Sequence, residues 1–305
     1  MQDIYRREGD SMFKRVALWV AMNIAVIAVI TIILKITGLD TAISGGRGLF
    51  PMLLACAVVG FAGSIISLLM SKSMVKRSMG VHVIETPQNE FEAWYVNVVE
   101  RQAAALGLKR PEIGIFDSPE PNAFATGASR NNSLVAISTG LMRVMNKEEI
   151  EAVVGHEMAH IANGDMVTMA LLQGVLNTFV VFLSRIIAEA IASRGNSNGE
   201  SSSSGIYMIS TIVLQIVFGI LAQIIASWFS RHREFRADAG GARLTSNRQM
   251  ANALDALRRR PELNQDLPGQ FAAFGFTGSI RDLFSTHPPL EKRIAALLEA
   301  ENRQG

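Results

Sequence analysis

Read for its apolar and polar positions, the chain separates into long runs without charge and two stretches of mixed character. Four uncharged runs are long enough to matter. The first, Val16 to Leu34, reads "VALWVAMNIAVIAVITIIL", and at about 1.5 Å per residue it matches a hydrocarbon core about 30 Å thick. The second, Gly48 to Ser71, carries Pro51 near its start, where a missing backbone donor costs least. A third begins at about Val167 in "VTMALLQGVLNTFVVFLS"; Arg185 and Glu189 follow in its last turns, so it spans, tilts or partly faces protein. The fourth, Ile206 to Ser230, is uncharged throughout, and Trp228 near its end suits the membrane interface. Between the last two lies "RGNSNGESSSSG", polar and of low complexity.

The mixed stretches predict the rest. Phe91 to Leu106 has apolar residues at helical spacing, with Gly107 as its stop. "EIGIFDS", "PNAFATG" and "NSLVAIST" are short, β-prone and separated by turn residues, which predicts a small antiparallel sheet. "NKEEIEAVVGHEMAHIANGD" predicts a helix that starts at the cap Asn146, with Glu149 completing a capping box, and stops at Asn163 and Gly164. The expected class is α+β: a mainly helical integral membrane protein with four transmembrane helices and a zincin-like domain holding the small sheet. Its expected parts are a segment 1–15, helices 1 and 2 within 16–71, a first domain part 72–165, a helical hairpin 166–230 and a second domain part 231–305. The two domain parts together make about one ordinary domain.

Composition agrees with a membrane protein, since 49% of residues are hydrophobic and only 18% charged. The net charge of +2 balances 29 basic against 27 acidic side chains, so no overall field would draw nucleic acid. Local charge informs topology instead. Arg6, Arg7, Lys14 and Arg15 precede the first run, Lys72, Lys76 and Arg77 follow the second, and Arg231 and Arg233 follow the fourth. The opposite loops hold only Lys35, Arg47 and Arg194. The positive-inside rule therefore places both termini and the mixed stretches in the cytoplasm. The first run is too long for a cleaved leader and lacks a small-residue cleavage pattern, so it reads as an anchor. Cys56, the single cysteine, cannot form an internal disulfide and reads as a packing residue. His82 lies among β-like residues and reads as structural.

The chemistry sits in "VVGHEMAHIANGD", Val153 to Asp165. Residues i and i+4 of a helix share a face, so His156 and His160 can reach one Zn²⁺ at about 2.0–2.1 Å. Glu157, one position along, leans to the side, where it can take a proton from an activated water. The bland alternative is a core helix with two satisfied imidazoles, but with five histidines in the chain an accidental H-E-x-x-H is rare. A catalytic zinc usually has three protein ligands, and the compact metzincin extension is absent because Asn163 and Met166 stand at its positions. The third ligand must be distant. Glu234 in "SRHREFRADAGG" is the best candidate, with Asp238 four residues later on the same face to accept the other N–H of a histidine. His232 is the competing ligand, ranked below Glu234 because a neighbour two apart faces elsewhere on a helix, and a basic membrane flank with incidental acids is the reading that assigns neither. A non-catalytic membrane zinc scaffold would use a closed four-ligand site, and a transporter would need ionisable residues within several spans.

These motifs resemble those of the HtpX family, heat-shock-associated membrane zinc metalloproteases of bacteria that are distantly related to the CAAX prenyl endoproteases. The resemblance covers nearly the whole chain from Met12, leaving residues 1–11 as an extension. It implies one zinc per chain bound by His156, His160 and Glu234, with Glu157 as general base and Asp238 supporting a ligand. It implies endoproteolysis of damaged or misfolded membrane proteins, at the cytoplasmic face of the bacterial inner membrane. "NAFATG" resembles the strand beside the cleft, so Asn122, Ala123 and Phe124 are expected to bind substrate by strand addition. "THPPLEKR" resembles the C-terminal HP motif, which implies that His287 donates to the oxyanion and Arg293 supports it or the cleft. The prenyl endoproteases have more spans around a large chamber, so the likeness does not carry prenyl specificity.

Overall fold

The structure, a computed structural model, describes residues 48–194, 200–259 and 285–303. The expected segment 1–15 and the expected first span, Val16 to Leu34, lie outside these residues. Among the described residues three helices are long and apolar enough to cross a membrane: α1 (Leu49–Ser78), α5 (Asp165–Arg194) and α6 (Glu200–Leu244). They correspond to the second, third and fourth apolar runs, and each is longer than its run. The fourth run ends at Ser230, but α6 continues to Leu244, because the change from apolar to charged residues alters the surroundings and not the helical preference of the backbone. Gly240 and Gly241 sit inside that helix despite costing about 1 kcal/mol each relative to alanine. Their reason lies in packing, described below.

The described residues form two compact units, one of those up to Ser67 with those of Ala170–Ala222, and one of those of Leu68–Met169 with those from Gln223 onward. In the first unit α1 and α5 approach through small residues. A Cβ built on Gly60 would lie 2.4 Å from Thr178 Oγ1 and 2.7 Å from the Gly174 carbonyl, and one on Gly174 would lie 2.9 Å from Ser64 Oγ. Small side chains let helix backbones come close enough for dispersion to act where lipid offers no hydrophobic advantage. Cys56 is fully buried in α1, as a packing residue should be.

The second unit contains β1 (His82–Val83), α2 (Glu90–Ala105), β2 (Glu112–Phe116), β3 (Ala123–Ser129), β4 (Asn132–Ser138), α3 (Thr139–Val144), α4 (Lys147–Asn163), α7 (Asn247–Arg258) and α8 (Leu290–Asn302). All three expected strands form, but the expected antiparallel sheet is mixed. Its order is β1-β2-β4-β3, with β2 and β4 parallel, from Glu112 opposite Leu134 to Phe116 opposite Ser138. The chain leaves β2, runs out to β3 and returns by a tight turn as β4, which inserts between them. Parallel neighbours need a crossover of about a dozen residues or more, and here β3 itself supplies it. β4 is central and reads as a buried run, Ser133 to Ser138, whereas β3 ends the sheet order and is only half-buried.

The core lies between this sheet and the helices. Tyr95, Val98 and Val99 of α2, Ile113 of β2, Val135 and Ile137 of β4, Ile150, Val154, Met158 and Ile161 of α4, and Met250 and Leu254 of α7 form one cluster. Burial of each large side chain stabilises by about 1.5–3 kcal/mol. α4 packs against α2, β3, β4 and α7, so it is the central helix of the unit and not a surface one. His82, on β1, is exposed and takes no part in this core.

Candidate metal centre

Helix α4 is held at both ends. Asn146 and Glu149 exchange side chain to backbone hydrogen bonds of 2.9 Å in a capping box, and Gly164 ends the helix at φ 69°, ψ 30°. A left-handed residue of this kind is easiest for glycine. Between these stops, His156 and His160 sit one turn apart with their rings edge to face, 4.6 Å between centroids. Glu234 comes from α6, where Gly240 and Gly241 allow the approach. A Cβ on Gly241 would lie 2.8 Å from the His156 backbone nitrogen, and one on Gly240 would lie 2.6 Å from the Ala159 Cβ. Gly155 completes the contact, 3.3 Å from the Gly241 Cα when given a Cβ. Glycines at this crossing are a part of the site that sequence reading missed; the pair "GG" within "ADAGGARL" was its only signal.

The donor atoms converge. The two Nε2 atoms are 3.1 Å apart; Glu234 places Oε2 3.4 Å from that of His156 and Oε1 3.3 Å from that of His160. Each Nδ1 faces a carboxylate instead, His156 that of Asp238 at 2.9 Å and His160 that of Asp165 at 2.6 Å. With the ring protons on Nδ1, both Nε2 lone pairs and a carboxylate point at one place, an arrangement that repels itself unless a cation lies among them. Glu234 is 2% exposed, and its Oε2 has no aligned hydrogen-bond donor, although His287 Nδ1 is 2.9 Å and Arg293 Nη1 3.2 Å away. Ligand bonds of about 2.0–2.1 Å at tetrahedral angles would set the donor atoms about 3.3–3.4 Å apart, so the residues fit a zinc ion. Burial disfavours the charged form of His156, yet Asp238 and Glu234 outweigh it and push its pKa up to about 10. His160 is raised likewise, against burial, by Asp165 and Glu234. The surroundings draw positive charge.

Glu157 is half-buried and not itself among the converging residues. Asp238 is held on its other side by Arg293 of α8, which donates to both carboxylate oxygens at 2.6 and 2.7 Å. Burial opposes the Arg293 charge, but Asp238 and Glu234 raise its pKa above the ordinary value. His287 precedes α8 and is partly exposed; Ser285 Oγ donates to its carbonyl at 2.6 Å, and Arg231 Nη1 donates to the Ser285 carbonyl at 2.7 Å. His232 is exposed, its ring 4.4 Å from that of Trp228 and its Nδ1 3.0 Å from the Trp228 carbonyl, so it stands apart from the converging group. Asn122 is exposed and Ala123 and Phe124 half-buried at the start of β3, which packs against α4. Ser138 fixes this entry: its Oγ accepts from the Asn122 N–H and its N–H donates to the Asn122 carbonyl, both at 2.8 Å. The Phe124 ring rests 5.4 Å from that of Phe116.

Comparison with known proteins agrees with this geometry. The family model "Peptidase family M48" matches residues 89–301. A "Protease HtpX homolog" of Neisseria meningitidis is 55% identical over 285 residues, 93% of this chain and 99% of that protein. "Protease HtpX" of Haemophilus influenzae is 53% identical over 284 residues, 93% of this chain and 98% of its own. The crystal structure of S. mikatae Ste24p shares the fold with a TM-score of 0.64 at 18% identity; the match covers 94% of this chain but 64% of that one. The chain belongs to peptidase family M48, and with its membrane helices and zinc-fitting donor set it is a membrane zinc metalloendopeptidase of the HtpX type.

Proposed function

We propose that His156, His160 and Glu234 hold one zinc ion and that Glu157 is the general base of peptide hydrolysis. The observation that carries this reading is the convergence of two imidazole lone pairs and a buried carboxylate on one point, with Glu157 adjacent on the same helix. A zinc ion there supplies Lewis-acid chemistry, polarising a carbonyl and acidifying water towards a pKa of about 7. Glu157 takes a proton from the attacking water and passes it to the leaving amine. His287, near the donor set and partly exposed, donates to the oxygen of the substrate carbonyl as charge develops. Asp238 and Arg293 hold His156 in the tautomer that leaves Nε2 free. A substrate segment lies along β3, with Asn122, Ala123 and Phe124 at its start, and pairs through backbone bonds as an added strand.

The substrates are chiefly membrane proteins, damaged or misfolded, cleaved at the cytoplasmic face of the bacterial inner membrane. What supports this is the membrane anchorage of the catalytic chain together with its basic flanks, such as Lys76 and Arg77 in the last turn of α1. The decisive test is Glu157→Gln, assayed on an unfolded protein in detergent with zinc content measured in parallel. The variant is expected to retain zinc and to lose cleavage by about 10²–10⁴-fold. Cleavage at the wild-type rate would reject the role of Glu157.

A further inference from the structure

Asp165 closes the stretch that carries the two histidines and has no role assigned from the sequence, yet it is 1% exposed and directed at the metal centre. The left-handed turn at Gly164 breaks the path of α4 and brings Asp165 back beside His160, five residues earlier. Its Oδ2 lies 2.6 Å from His160 Nδ1, its Oδ1 accepts from Arg236 Nη2 at 2.5 Å, and its backbone carbonyl accepts from Arg233 Nη1 at 3.3 Å. Arg236 and Arg233 come from α6, on either side of Glu234. The arrangement repeats, on the second imidazole, what Asp238 and Arg293 do for the first: histidine, buried aspartate, arginine. We infer that Asp165, tied to α6 by Arg236, is a positioning residue for the zinc centre that fixes the His160 ring and keeps its Nε2 free for the metal.

This inference rests on the reading of His160 as a ligand. The competing role for Asp165 is a local one, an acid in the first turn of α5 that favours the helix dipole. That role would affect folding and leave zinc affinity alone. A positioning carboxylate does the reverse, since losing such a partner typically weakens metal binding by about 10–100-fold.

The test measures zinc affinity by chelator competition on the full-length protein in detergent, for wild type, Asp165→Ala, Asp165→Asn and His160→Ala. Melting of the zinc-free forms and the absorption spectrum of the cobalt-substituted forms are recorded alongside. Asp165→Ala is expected to bind zinc about 10–100-fold more weakly, with an altered cobalt spectrum and little change in zinc-free melting. Asp165→Asn, which keeps an acceptor for Nδ1–H without the charge, should fall between. If Asp165→Ala fails to fold, an affinity of Asp165→Asn below wild type supports the inference and an unchanged one overturns it. Wild-type affinity in both Asp165 variants, beside a weakened His160→Ala, overturns this inference alone. Wild-type affinity in His160→Ala overturns the ligand assignment, and this inference with it.

Discussion

At the scale of single residues, the site works by making a costly arrangement cheap. A carboxylate as buried as that of Glu234 is tolerated because His287 and Arg293 lie beside it and a cation can be shared with the two imidazoles. If it is the third ligand, Glu234→Ala removes a charge that the metal needs while leaving the helix crossing intact. The purified variant is expected to carry little or no zinc by elemental analysis, and full occupancy would move the ligand elsewhere. His287, proposed as the oxyanion donor, should fail differently. Replacing it by alanine is expected to lower kcat by about 10²–10³-fold, the usual cost of one oxyanion donor, with zinc content unchanged and KM little altered. A large rise in KM at constant kcat would make it a substrate-binding group instead.

At the scale of elements, the centre depends on how closely α4 and α6 cross. Gly241 faces the backbone of Gly155 and His156, not a flexible side chain, so a methyl group there has nothing to push aside. Alanine gains about 1 kcal/mol of helix propensity, but overpacking costs about 1–3 kcal/mol, and rigid backbone favours the upper end. Gly241→Ala is therefore expected to lower the melting temperature and to weaken zinc binding, because the strain separates Glu234 from the imidazoles. Gly219→Ala is the matched control: a Cβ there meets nothing, so neither measurement should fall. Equal behaviour of the two variants would show that the crossing does not set the metal geometry.

At the scale of the molecule, the proposed ligands come from chain segments on either side of a long apolar stretch. His156 and His160 precede α5, and Glu234 follows the apolar part of α6. A metal held by both segments stabilises the folded state by mass action. Stripping zinc with a chelator should abolish proteolysis and lower the melting temperature, and restoring zinc should recover both; activity unaffected by complete zinc removal would refute the assignment. Orientation has its own measurement. A cysteine placed at Arg130, in the exposed turn between β3 and β4, in a Cys56→Ala background, should react with an impermeant thiol reagent only from the cytoplasmic side. Labelling from the opposite side would reverse the topology drawn from the lysines and arginines.

The residues by themselves determined what depends on local order. The capping box of Asn146 and Glu149 and the stop at Gly164 delimit α4 because they act within a few residues, and the i, i+4 spacing of His156 and His160 follows from the helical repeat. The apolar runs of α1, α5 and α6 were equally legible, since crossing a membrane is a matter of length and charge. Glu234, backed by Asp238, is the better candidate than His232 from spacing alone, because residues two apart face different sides of a helix, but spacing leaves open which side of α6 meets α4. Only the tertiary structure decided that, through Gly155, Gly240 and Gly241. It alone decided that β4 inserts between β2 and β3, since strand order depends on partners distant in sequence. It also alone made Asp165, the first residue of α5, a neighbour of His160. Periodicity reports which way a side chain faces along its own element; what it faces is set by long-range packing, for which a single chain read in order carries no local signal.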